Sequence, residues 1–235
     1  MSKIEYINGF VWEKGNRINN EDSICLYDIQ RKKLPIVLGI VCDGIAGLSE
    51  GAFSSTYTVT KMHKEVTDIA GQYLRYHGMI SLRKKVNKKI YMNHMELVKY
   101  SKKERIKTGT TISMLLIIKN KYFLFHIGDS RIYSIKKKKI HLMTIDDTDK
   151  NNILFHALGI GSYKMPLYKK GIVRKGQEFL LCSDGFYRRN NIKDNFANLS
   201  LCEEKVNQYL ETITRRLIEQ GEKDNISAVY IKRIR

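Results

Sequence analysis

The chain is poor in several things at once. Only 2 prolines, 1 tryptophan and 4 cysteines occur in 235 residues, and 24 acidic residues stand against 42 lysines and arginines. No apolar run approaches the roughly 18 residues that would span a bilayer, so no membrane-crossing helix is expected. The first ten residues, Met1 to Phe10, carry Glu5 and Asn8 and lack the apolar core of a secretory signal. Cys25, Cys42, Cys182 and Cys202 are widely spaced, and most lie in or beside apolar runs. They read as buried free thiols of a reducing compartment, not as a disulfide framework or zinc site. A cytoplasmic protein is the expectation.

The shortage of acids leaves a net charge of +18. Such an excess suits an anionic partner: nucleic acid, an acidic membrane surface or a phosphorylated substrate. A chain rich in Ile, Asn and Lys reaches the same balance by composition alone, so charge decides nothing here. The apolar fraction of 43% is ordinary, and the length suits one well-buried domain. No internal repeat or low-complexity linker divides it.

The chain is organised around residues 34–51. Ile36 to Cys42 is continuously apolar, the pattern of a strand buried on both faces. It delivers Asp43 into the turn Asp43-Gly44-Ile45-Ala46-Gly47. A turn-forming Asp-Gly is one reading; a carboxylate that needs a partner at the end of a core strand is the other. Beyond Gly51, Ala52, Thr56, Val59, His63, Val66 and Ala70 recur at helical spacing. A second helix is expected over about 79–103, with Leu82, Val86, Ile90, His94, Leu97 and Val98 on one side and lysines elsewhere. The period changes after Gly109. Residues 110–118 and 122–127 read as one hairpin, and 131–135 with 140–143 as another, with Lys136 to Lys139 as a solvated tip. Residues 160–175 look like an irregular exposed excursion. Glu178 to Cys182 reads as a core strand. An amphipathic helix (Val206 to Ile218) and a last strand (Ile226 to Ile231) close the chain.

Aspartates recur where strands end. Asp43 and Asp184 each follow an apolar strand and precede glycine, Asp129 lies between two strands, and Asp224 stands before the last one. Carboxylates brought to one rim repel and raise one another's pKa, and a shared cation removes that penalty. Oxygen-only donors favour a hard ion such as Mg²⁺ or Mn²⁺. Two such ions about 3.5–4 Å apart can activate water for in-line attack on phosphorus. A guanidinium such as that of Arg17 could hold the phosphate in a fork. The residues alone therefore point to metal-assisted phosphate-ester hydrolysis.

The ordered set of motifs resembles the type 2C metal-dependent serine/threonine protein phosphatases, over nearly the whole chain. Arg17-x-x-Asn20-Glu21-Asp22 is similar to the family's opening motif, and Asp43-Gly44 to its metal-bridging aspartate and adjoining carbonyl donor. Thr108-Gly109-Thr110-Thr111, Gly128-Asp129-Ser130-Arg131 and Ala157-Leu158-Gly159 match its strand and turn signatures. Cys182-Ser183-Asp184-Gly185 and Asp224-Asn225-Ile226-Ser227 match its later metal motifs. The resemblance implies an α+β fold, a four-layer αββα sandwich of two antiparallel sheets flanked by helices, as a single domain over 1–235. It implies two Mn²⁺ or Mg²⁺ ions held by Asp43, Gly44, Asp184 and Asp224, with a third, weaker ion at Asp129 and Asp184. Arg17 would clamp phosphate, Glu21 and Asp22 would orient metal-bound waters, and residues 160–175 would form a flap.

The turn departs from the family. It reads Asp-Gly-Ile-Ala-Gly where many bacterial members have Asp-Gly-Met-Gly-Gly-His, so Ile45 leaves no histidine as general acid there. Because the metal-ligand acids are all kept, an active monomeric enzyme is expected. Its partners would be phosphorylated proteins, the substrates of a serine/threonine kinase. A silent phosphatase-like module binding a phosphoprotein or nucleic acid is the alternative, as is a narrow regulator of one partner protein.

Overall fold

The computed structural model describes residues 4–29, 35–45, 50–76, 78, 81–150, 153–197 and 205–235. At its centre is the strand expected from the longest apolar run, β3 (Ile36–Asp43), with antiparallel neighbours β2 (Asp22–Ile29) and β4 (Ile112–Ile118). Beyond β4 come β5 (Lys121–Ile127) and the edge strand β8 (Leu167–Ile172), giving the order β2-β3-β4-β5-β8. A second antiparallel sheet has the order β1-β10-β9-β6-β7. Its strands are β1 (Tyr6–Glu13), β10 (Ile226–Arg233), β9 (Glu178–Cys182), β6 (Arg131–Lys136) and β7 (Lys139–Leu142).

The alternation of β3 explains the layering, because successive side chains point to opposite faces. Leu38, Ile40 and Cys42 pack outward against two long helices, α1 (Gly51–Arg75) and α2 (Leu82–Glu104). Val37 and Val41 point inward and meet Phe179, Leu181, Val229 and Ile231 of the other sheet. That sheet's outer face, with Leu180, Cys182 and Tyr230, carries α3 (Asp184–Tyr187), α4 (Ile192–Phe196) and α5 (Val206–Glu219) through Phe186, Phe196 and Leu210. The αββα expectation is met. Each fully buried Leu, Ile or Phe contributes about 1.5–3 kcal/mol relative to exposure, so three continuous apolar layers hold the rim where the strands end.

Two expectations need correction. Residues 160–175 are not irregular throughout, since 167–172 are β8 and pair with β5 from His126↔Leu167 to Lys121↔Ile172. An edge strand needs only one neighbour, which is why Tyr168, Lys169 and Lys170 show no clean alternation. Helix α1 is also rotated from the stripe read in the sequence. Its buried face includes Ser54, Ser55, Thr58 and Met62, whereas Thr56 is exposed. The polar members are satisfied internally: Ser54 donates to the Gly109 carbonyl at 2.7 Å, Ser55 pairs with Ser23, and Thr58 with Asn93. The Lys136–Lys139 tip is a two-residue turn with Lys137 and Lys138 at positive φ, and residues 137–139 are exposed as expected. Cys25, Cys42 and Cys182 are free thiols, and Cys202 lies outside the described residues. Among the described residues no helix is long and apolar enough to cross a membrane.

Candidate active site

Register brings the first pair of acids together. Asp22 opens β2 directly opposite Asp43, which ends β3. Asp43 is fixed through its backbone: its N–H donates to Thr111 Oγ1, and its carbonyl accepts from the Thr111 N–H and Thr110 Oγ1, each at 2.9 Å. The next residue has no room for a side chain. A Cβ on Gly44 would lie 2.4 Å from the Gly51 carbonyl oxygen and 2.7 Å from that of Glu21. Glycine is what lets the turn pass between α1 and the N-terminal loop.

The second sheet brings the others. Ser183 follows β9 and pairs with the start of β10: its N–H donates to the Ser227 carbonyl, and its Oγ accepts from the Ser227 N–H at 3.1 Å. The same Oγ donates to Asp22 Oδ2 at 2.7 Å, so one hydroxyl ties the two sheets together at the rim. Asp184 then opens α3. Asn225 fastens the loop that carries Arg17. Its Nδ2 donates to the carbonyls of Lys14 (2.8 Å) and Asn19 (3.0 Å), and its Oδ1 accepts from the Glu21 N–H at 2.9 Å.

The acids feel one another. Burial first, then Asp22, Asp184, Asp129 and Asp224 in turn, push the Asp43 carboxyl well above the usual range. Asp22, almost wholly buried, is pushed up to about 6 by burial, against the pull of Ser183 and with Asp224 and Asp129 adding to the rise. Asp184 goes up to about 7, again chiefly by burial, with Arg188 opposing and Asp224, Asp129 and Asp22 reinforcing. Burial raises Asp129 and Glu21 as well. Of the predicted acids, Asp22, Asp43, Asp129, Asp184 and Asp224 thus converge electrostatically, and Glu21 borders them.

Arginines meet part of this charge. Arg17 makes a fork on Asp224, with Nε and Nη2 each 3.1 Å from a carboxylate oxygen. The expected phosphate clamp therefore holds a carboxylate here. Arg188 bonds Asp184 and stands 3.6 Å from Asp224 and 3.7 Å from Glu222. With these acids drawn to arginines, no three His, Cys, Asp or Glu side chains among the described residues are already gathered in metal-ligand geometry. The donor set nevertheless fits a hard divalent cation: its donors are oxygens, its members raise one another's proton affinity, and the arginines meet only part of its charge.

Sequence reading missed Arg188, Asp146 and Asp147. Asp146 grips Arg131, with 2.7 Å from Nη2 to Oδ2, while the Arg131 guanidinium lies 3.8 Å from the centre of the Tyr187 ring. These groups, with Asp129, Asp184, Arg188 and Thr148, line a polar cavity of about 450 Å³. Asp147 accepts from the Gly128 N–H at 3.1 Å and pairs with Lys164. The spacing of Arg188 four residues after Asp184 in a short helix was the available signal for that pair. Asp146 and Asp147 follow no core strand and carry none.

A family model described as protein phosphatase 2C matches residues 15–229. The protein phosphatase PhpP of Streptococcus pneumoniae is 24% identical over 238 residues, covering 92% of each chain. In structure, the Pseudomonas aeruginosa protein PppA superposes with a TM-score of 0.80 at 19% identity, over 97% of this chain and 98% of its own. The catalytic domain of the serine/threonine protein phosphatase PstP, solved with 2 manganese ions, gives 0.75 at 22% identity, over 98% and 100%.

Proposed function

The chain belongs to the protein phosphatase 2C family and is a serine/threonine protein phosphatase, and from that premise we propose how its residues divide the work. The observation that carries the reading is the pairing of Asp22 with Asp43 across β2 and β3, tied by Ser183 to the other sheet, with four aspartates (Asp22, Asp184, Asp129 and Asp224) raising the proton affinity of Asp43. Asp43, Asp184 and Asp224, with the Gly44 carbonyl, would hold two divalent ions, manganese or magnesium. Asp129 with Asp184 would hold a third, weaker one. The ions, when bound, supply Lewis-acid activation of water and charge neutralisation for in-line hydrolysis of the phosphate ester.

The chain's own groups supply position. Asp22, deep in the rim and held by Ser183, orients water through its second oxygen, and Glu21 does so from the loop edge. Arg17 offers a planar fork to the substrate phosphate once Asp224 engages a cation. Ile45 cannot give a proton to the leaving group, so water in the site does. Residues 160–175 would form the flap, with 160–166 lying between the Leu158–Thr110 bridge and β8. The free thiols Cys25, Cys42 and Cys182 support a reducing cytoplasmic setting, where the enzyme would act as a monomer and reverse the work of a serine/threonine kinase.

The test is hydrolysis of p-nitrophenyl phosphate and of a phosphothreonine peptide with Mn²⁺, with Mg²⁺ and with EDTA. Turnover should need metal and vanish in EDTA, and Asp184→Asn should abolish it while keeping the wild-type circular dichroism spectrum. Wild-type-like turnover by Asp184→Asn would remove the metal assignment.

A further inference from the structure

A second groove lies away from the acidic rim. It runs between the N-terminal half of α2 and the loop of residues 160–166, and encloses about 760 Å³. Helix α2 turns Leu82, Val86 and Ile90 into the core, so Arg83, Lys84 and Lys88 are left on its outer side. The three cations line the groove with Tyr91, Tyr163 and Met165, and no acidic side chain among the described residues does. Tyr91 and Met165 remain 45% and 57% exposed, a large apolar surface for a charged rim to leave open. Asn87 Nδ2 bonds Met165 Sδ at 3.1 Å and the Tyr91 and Tyr163 rings meet edge to face, so helix and loop form one wall.

The loop connects this groove to the site. Tyr163 and Met165 face α2, whereas Lys164 between them pairs with Asp147, which in turn holds the Gly128 N–H beside Asp129. We propose that the α2 groove docks an acidic stretch of the phosphoprotein substrate, carboxylates on Lys84 and Lys88 and apolar groups on Tyr91 and Met165, while the phosphoresidue occupies the metal rim. The assignment rests on the phosphatase reading above. A peptide fits better than RNA because Tyr91 and Met165 offer exposed apolar surface beside the lysines and the groove shares its loop with a protein-phosphatase site.

Two phosphothreonine peptides, alike at the reacting residue but extended by glutamates or by Gly-Ser, separate the possibilities when assayed on the full chain with Mn²⁺. The acidic extension should lower KM about tenfold at low salt with kcat unchanged, the advantage shrinking as ionic strength rises. Lys84→Glu/Lys88→Glu, both at exposed positions, should erase that advantage and leave p-nitrophenyl phosphate turnover intact. The unphosphorylated acidic peptide, labelled and titrated in EDTA, should bind wild type and not the double variant. Equal KM values for the two peptides in an active enzyme would overturn the groove alone. Binding of the acidic peptide by a chain without turnover would overturn the phosphatase reading and keep the groove's peptide affinity. A uridine oligonucleotide that binds through the same lysines and more tightly than the peptide would also overturn it.

Discussion

Replacing Asn225 with alanine probes the fastening of the loop that carries Arg17 without touching any of the acids proposed to hold metal. The side chain makes three hydrogen bonds, at 2.8, 3.0 and 2.9 Å, to Lys14, Asn19 and Glu21. At about 1 kcal/mol net apiece the loss would be about 3 kcal/mol. Lys14 and Asn19 are exposed residues, so their carbonyls can turn to water, whereas the Glu21 N–H lies in a half-buried stretch. About 2–3 kcal/mol is therefore the expected cost, and for a chain of this size it lowers Tm by roughly 4–12 °C. Because the loop carries Arg17 and Glu21, turnover of a phosphopeptide should fall by more than about tenfold at a temperature where the variant is still folded. Thermal unfolding followed by circular dichroism in EDTA, beside steady-state kinetics in Mn²⁺, measures both. A Tm within about 1 °C of wild type, in place of the several degrees expected, together with unchanged kcat/KM, would refute the fastening role.

Gly44→Ala should destabilise the fold and abolish activity, because its Cβ would meet two backbone oxygens that cannot swing aside; soluble expression and Tm report it. The metal-free protein should respond to pH in the opposite sense to most carboxylate-stabilised proteins. Burial raises Asp22 to about 6 and Asp184 to about 7, so the folded state binds protons that the unfolded chain releases near pH 4. That contribution is fully present at low pH and is lost as pH rises through about 6 to 7. In EDTA, Tm should climb as pH falls from about 7.5 to about 5.5, and excess Mn²⁺ should flatten the slope by binding the ionised acids. A Tm that falls steadily over that range in EDTA would contradict the crowding of the aspartates.

What was legible in the sequence followed from burial on both faces. Residues 36–42 of β3 and 179–182 of β9 are apolar without a break, so Asp43 and Asp184 at their exits stood out. The edge strand β8 escaped because Lys169 and Lys170 interrupt it and Gly171 yields its place to the Tyr122 ring. The phase of α1 was hidden by serines and a threonine whose hydroxyls are satisfied by Gly109, Ser23 and Asn93, partners distant in sequence. The facing of Asp22 and Asp43 follows from strand register, yet the division of the arginines did not show. Whether Arg17 faces a carboxylate or open space depends on where Asp224 sits in three dimensions, not on spacing.

That pairing makes one guanidinium edge a shared resource. Asp224 occupies both Nε and Nη2 of Arg17, so an anion gripped by the same edge must displace the carboxylate. If Asp224 holds a cation as proposed, a cation that drew it away would raise the affinity of Arg17 for phosphate, and by reciprocity phosphate on Arg17 would raise the affinity of the carboxylate for the cation. Metal and substrate, opposite in charge, would recruit each other through the exchange of a single partner.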